Sequence, residues 1–220
     1  MEIPGSSPLA DMVILVLDLF GVFVFALSGN ILAIRKGYDL TGSVLLGFLA
    51  GLGGGMVRDV LTGRVPVSLV NPIYMAVPVL AAIAVYFIGT RVAQVRRTLV
   101  TCDAIGLALF CMTGTVIALE ADLPVPAALL MGVLTAAGGG ILRDVVANEA
   151  PSVFNAADLY LVPALTGAGL TALAVRLDLW NIWSALVIGV FVVGFRLLSL
   201  RLRWRVPSPV RSWTLRRPRR

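Results

Sequence analysis

The chain has 220 residues, of which 59% are hydrophobic and only 14% charged, and its mean hydropathy is +0.95. Soluble domains carry about 45–50% apolar and about 25% charged residues, so this composition excludes an ordinary water-soluble domain and indicates a membrane protein. The net charge of +6 is concentrated at the C-terminus, and the absence of histidine removes histidine acid–base chemistry and most zinc motifs.

Residues 1–11 contain Glu2 and Asp11 but no basic stretch, so no cleavable signal is expected. Seven apolar stretches follow, near 12–34, 42–62, 72–90, 99–119, 126–147, 158–175 and 181–200. Each approaches the ~20 residues that a helix needs to span a bilayer. None alternates as barrel strands do, so the expected fold is all-α with seven transmembrane helices. Arg35 and Lys36 follow the first stretch, Arg91, Arg96 and Arg97 the third, and an arginine-rich tail the seventh. Basic loops on alternate sides predict an outside N-terminus and a cytoplasmic C-terminus. Because the tail directly follows a span, it is read as touching anionic lipid rather than nucleic acid. Arg196, near the end of the seventh stretch, is expected to snorkel to the interface. Cys102 and Cys111 lie within an apolar run and read as small buried hydrophobes.

The second stretch contains Gly53-Gly54-Gly55, then Arg58-Asp59; the fifth contains Gly138-Gly139-Gly140, then Arg143-Asp144. Each glycine costs a helix ~1 kcal/mol relative to alanine. The triplets therefore predict helices two and five broken near the bilayer midplane, with freed carbonyls for a cation and freed N–H groups for an anionic group. The competing reading is close helix packing through small residues.

The two segments belong to an internal repeat with an offset of 85 residues. Asp18 recurs as Asp103, Gly21 as Gly106, Phe25 as Phe110, Gly29 as Gly114, Pro66 as Pro151 and Pro78 as Pro163. Pro78 and Pro163 predict kinks in spans three and six. The chain divides into a first three-helix repeat (12–91), a second (97–176), a seventh helix (180–200) and a basic tail (201–220). An odd number of spans per repeat inverts the second copy, giving a 3+3 inverted repeat plus one helix.

Charges within spans are functional hypotheses by default. Asp18 is expected beside Arg58, and Asp103 beside Arg143, with Asp59 and Asp144 in the same two clusters. Two acids and one base would leave each cluster negative and favourable to cations. The glycine triplets and the twin hydroxyls Ser28 and Thr113 are the candidate ion path.

Two GGGxxRD segments in a three-plus-three-plus-one arrangement resemble the trimeric intracellular cation (TRIC) channel family, in its prokaryotic branch, over about residues 12–200. The resemblance implies a homotrimer in a prokaryotic inner membrane. Each subunit would hold a pore for K⁺, also passing Na⁺, constricted and gated at the glycine-rich breaks. The sequence offers no metal motif, no histidine and no nucleophile–base pair, so no cofactor and no enzymatic activity are expected; the ions are the permeating species. Members of the same bacterial family are also labelled glycine transporters, so the alternative expectation is a secondary transporter of a small amino acid, its carboxylate held at the half-helix N-termini.

Overall fold

The computed structural model describes residues 8–88, 95–154, 159–202 and 204; the tail beyond them, 205–220, lies outside the described residues. The chain forms α1 (Pro8–Arg35), α2 (Leu40–Leu61), α3 (Val67–Val70), α4 (Pro72–Ile88), α5 (Val95–Glu120), α6 (Val125–Val146), α7 (Leu161–Arg176) and α8 (Ile182–Arg201), with a 3-10 turn at Ser152–Phe154. Among the described residues, Met12–Arg35, Leu40–Leu61, Thr98–Glu120, Val125–Val146 and Ile182–Arg201 are long and apolar enough to cross a membrane. The expected third and sixth spans are shorter, with 17 residues in α4 and 16 in α7. At 1.5 Å per residue they rise about 25 Å, slightly less than the ~30 Å hydrocarbon core.

The expected breaks are absent: α2 and α6 run as continuous helices through both glycine triplets. The glycines act between helices instead. A Cβ on Gly54 would run into the carbonyl oxygen of Thr135, and one on Gly139 into the carbonyl oxygen of Ala50. Gly138 faces the Cα of Gly54, at 3.1 Å from a Cβ built there. The two helices thus cross antiparallel, backbone against backbone. Packing of this closeness recovers enough contact to offset the weak helix propensity of glycine.

The α1–α5 contact follows the same logic. The rings of Phe25 and Phe110 stack with centroids 5.3 Å apart. Gly106 lies under Phe25 and Gly21 under Phe110, so a Cβ at either glycine would meet a ring atom at 2.5 or 2.8 Å. The Gly–Phe pairs of the repeat are therefore knobs and sockets exchanged between the halves. Helix α8 packs against α5 and α7.

Pro78 lies inside α4. Pro163 does not kink its helix as expected: it is the third residue of α7, where the missing N–H would have had no intrahelical partner. Turns after the helices use left-handed residues at repeat positions. Gly37 and Gly63 (φ 73° and 70°) correspond to Asp122 and Asn148 (φ 56° and 53°), and Asn and Asp are the residues that tolerate this region best after glycine.

Helix α2 begins at a capped turn. The Gly42 N–H donates to Asp39 Oδ1 at 2.8 Å, and the Thr41 hydroxyl donates to the same carboxylate. These bonds, the first the stronger, hold the Asp39 carboxyl below its usual range. A depressed pKa contributes stability above the ordinary carboxylate value of ~3.9, and that stability is lost as pH falls through the lower folded value. Hydrogen exchange at the first turn of α2, corrected for intrinsic rate, is expected to quicken below about pH 4, and Asp39→Asn should abolish that pH dependence.

Candidate functional site

Two buried charge clusters flank the α2–α6 crossing. In the first, Arg58 (2% exposed) donates from Nε to Asp59 Oδ1 at 2.8 Å and lies with Nη1 3.6 Å from Asp18 Oδ1. In the second, Arg143 (2% exposed) donates from Nε to Asp144 Oδ1 at 2.8 Å and from Nη1 to Asp103 Oδ1 at 3.2 Å. The arginine and the following aspartate are adjacent on one helix turn, so the guanidinium folds back along α2 or α6 while α1 or α5 brings the second carboxylate. Burial of these ions requires such pairing, because an uncompensated charge in this setting costs several kcal/mol.

The second oxygen of each motif aspartate has another use. Asp59 Oδ2 accepts from the Val67 N–H at 2.9 Å, and Asp144 Oδ2 accepts from the Ser152 N–H at 3.1 Å. Val67 opens α3 and Ser152 opens the 3-10 turn, each directly after the repeated proline, Pro66 or Pro151. Each aspartate is thus both an arginine partner and a clamp on the chain that leaves its helix. The sequence reading found neither short helix, although proline at the same repeat position is a helix-start signal.

The twin hydroxyls join the clusters across the halves. Thr113, on α5, donates to Asp18 Oδ1 at 3.1 Å. Ser28, on α1, accepts from Arg143 Nη1 at 2.8 Å and donates back to the Phe25 carbonyl at 2.7 Å. The glycine triplets lie between the clusters. Only Gly55 and Gly140 come near the arginines, with built Cβ atoms 3.6 Å from Arg58 Nη2 and 3.9 Å from Arg143 Nη2.

Side chains outside the expected set complete the geometry. The Tyr74 hydroxyl, on α4, donates to Asp18 Oδ2 at 2.9 Å. Tyr160, just before α7, is buried beside the second cluster, its hydroxyl 3.4 Å from a Cβ built on Gly140. These tyrosines are 86 residues apart, one more than the repeat offset, so an ungapped comparison misses them. Arg196 departs from its expected snorkelling. It is 3% exposed, donates from Nη1 to the Leu159 carbonyl at 3.1 Å, and stacks its guanidinium 4.7 Å from the Tyr160 ring centroid. A carbonyl and an aromatic face satisfy it inside the protein, so it has no need to reach the interface.

The two clusters differ in access. Around Asp18, Arg58 and Tyr74 the free space is about 10 Å³, room for roughly one water. There Arg58 Nη1 and the Ser68 hydroxyl have no hydrogen-bond partner among the described residues. The second cluster opens into a cleft of about 390 Å³ bounded by Asp103, Arg143, Asp144, Arg196, Arg35 and Glu149. Lys36 and Glu149 form an ion pair of 3.1 Å between the α1–α2 and α6–α7 connections. The expectation of net negative charge at both clusters therefore needs correction. It describes the first, whereas Arg196 balances the second.

A family model described as Glycine transporter matches residues 15–90 and again residues 100–176. A UPF0126 membrane protein of Deinococcus radiodurans is 42% identical over 155 residues, 70% of this chain and 72% of that protein. The crystal structure of the TRIC trimeric intracellular cation channel orthologue from Rhodobacter sphaeroides has a TM-score of 0.82 to this chain at 32% identity, covering 88% of this chain and 100% of that one. This chain belongs to the prokaryotic TRIC family. The likeness within the TRIC family extends along most of the sequence: the UPF0126 inner membrane protein YadS of Escherichia coli K12 is 32% identical over 203 residues, 90% of this chain and 96% of YadS. These relatives are named as a channel and as membrane proteins, not as enzymes. The TRIC-family chain is, like them, an all-helical membrane protein.

Proposed function

We propose that this chain is a monovalent-cation channel passing K⁺ and Na⁺, with one path in each subunit of a homotrimer. In this reading the seven apolar helices all span the membrane, and the two three-helix halves form an inverted repeat. The observation that carries it is the pair of buried charge clusters, one on either side of the α2–α6 crossing, each assembled from both halves. The net negative charge of the Arg58 cluster attracts cations to its side of the narrow crossing, and the balanced Arg143 cluster still presents carboxylate oxygens to its cleft. Similarity to a TRIC cation channel structure at 32% identity supports the same activity. The basic loops after the first and third spans support a cytoplasmic location for the Arg143 cluster and its cleft, and an outer location for the Arg58 cluster.

Because the helices are unbroken, the constriction belongs elsewhere than at a glycine break. It lies at the outer cluster, where Tyr74 and Thr113 both donate to Asp18 and the space narrows to about 10 Å³. In this reading the path is open to the cytoplasmic side and closed to the outer one. Opening requires these two hydroxyls to release Asp18 to the ion.

The family model's description suggests glycine instead, and a cleft bearing both carboxylates and guanidinia suits a zwitterion. Flux from proteoliposomes with a K⁺ gradient separates the readings. Wild-type protein should release K⁺, and Tyr74→Phe with Thr113→Val should raise the rate about tenfold or more by loosening two hydrogen bonds to a charged group, each worth ~1.5–3 kcal/mol. Saturable counterflow of labelled glycine with no independent K⁺ release would replace the channel with a transporter.

A further inference from the structure

We infer that Arg196 makes the channel rectify, by neutralising the cytoplasmic cluster while the outer cluster keeps a net negative charge. The inference rests on the channel reading above. Arg196 lies on α8, which stands outside the repeat, so the outer cluster has no counterpart to it. At the outer cluster the charges facing the narrow space are Asp18, Asp59 and Arg58, a net of −1. At the cytoplasmic cleft the first three are the equivalents Asp103, Asp144 and Arg143. Arg196 bounds the same cleft and brings them to neutrality, and at the rim the single charge of Glu149 is outnumbered by Arg35 and by Lys36, its ion-pair partner, so no net negative charge is left there. The side chain is not free to swing away. The Leu159 carbonyl bonds it at 3.1 Å and the Tyr160 ring lies under it at 4.7 Å.

Cations are therefore concentrated at the outer mouth but not at the inner one. One elementary charge within ~7 Å of an ion in a wet cleft changes the local cation concentration by roughly two- to threefold. In symmetric K⁺, current from the outer to the cytoplasmic side should exceed the reverse current by about that factor. The effect is screened as the Debye length falls from ~10 Å at 0.1 M to ~3 Å at 1 M.

Single-channel recording in planar bilayers tests this, since the ratio of the larger to the smaller current at opposite voltages is the same for either direction of insertion. Wild type in 0.1 M KCl should show a ratio of about two to three, approaching one in 1 M KCl. Arg196→Gln should raise the smaller current about two- to threefold in 0.1 M KCl and bring the ratio towards one, whereas Arg196→Lys should keep it. Leu200→Glu adds a carboxylate to the same cleft while leaving Arg196 and its contacts intact. It should act as Arg196→Gln does, and it decides the matter if the glutamine variant does not fold. Ratios unchanged in Arg196→Gln, or in Leu200→Glu where only that variant folds, overturn the inference and leave the channel standing. An absence of wild-type K⁺ current overturns both.

Discussion

Gly139→Ala is expected to destabilise the folded protein by about 3 kcal/mol or more, while Gly55→Ala leaves it unchanged or improves it by up to ~1 kcal/mol. The two residues belong to twin motifs and would respond alike if the triplets were flexible breaks. Their surroundings differ. The Cβ added at Gly139 meets the carbonyl oxygen of Ala50, which belongs to the facing helix backbone and cannot rotate away. The Cβ added at Gly55 has Arg58 Nη2 at 3.6 Å as its nearest neighbour, an ordinary contact. Gly54→Ala, aimed at the Thr135 carbonyl, should match Gly139→Ala. Gly53→Ala meets Leu142 Cδ1 at 2.5 Å, the end of a movable side chain, and should fall between. Thermal unfolding in detergent, followed by the amount of monodisperse protein on size exclusion, reads the series. A loss of 3 kcal/mol corresponds to a fall of roughly 10 °C for a chain of this size. Equal melting temperatures for Gly139→Ala and Gly55→Ala would refute the crossing as the reason for the triplets.

Arg143→Met is expected to cost about 3–5 kcal/mol, because it leaves two buried carboxylates, Asp103 and Asp144, with the single charge of Arg196 to offset them. Arg143→Lys should recover only part of this. A lysine has one ammonium, whereas the guanidinium uses Nε for Asp144 and Nη1 for both Asp103 and Ser28. Adding Asp103→Asn to Arg143→Met removes one of the two stranded charges and should restore much of the loss, the mark of strong coupling between neighbours. By contrast, Ser28→Ala removes a single bond to the guanidinium and should cost about 1.5–3 kcal/mol at most. Folded yield and melting temperature of these four variants and of Asp103→Asn alone measure the coupling directly. If the double variant is no better than Arg143→Met, the ion pair is not what the arginine contributes.

Much of this architecture is legible in the residue order. Mean hydropathy and run length suffice for a helical membrane protein, because backbone groups in a bilayer must be satisfied within each segment. The 85-residue offset carries the division into halves, and a charge inside a span demands a partner, which is why Asp18 with Arg58 and Asp103 with Arg143 are predictable pairings. Three features needed the tertiary structure. Helix propensity sees only the local cost of Gly53–Gly55 and Gly138–Gly140 and predicts a break, whereas the stabilisation that keeps α2 and α6 whole comes from a crossing between residues 85 apart. Positional rules assign Arg196 to the interface because it stands one turn from a helix end, but the Tyr160 ring and the Leu159 carbonyl that draw it inward are brought there by the packing of α8 on α7. The asymmetry between the tightly packed Arg58 cluster and the open cleft at the Arg143 cluster is invisible to a repeat analysis. Both halves carry the same motif, and its surroundings make the two ends differ: Thr113 bonds Asp18 where its twin Ser28 bonds Arg143, and Arg196 has no counterpart at the first cluster.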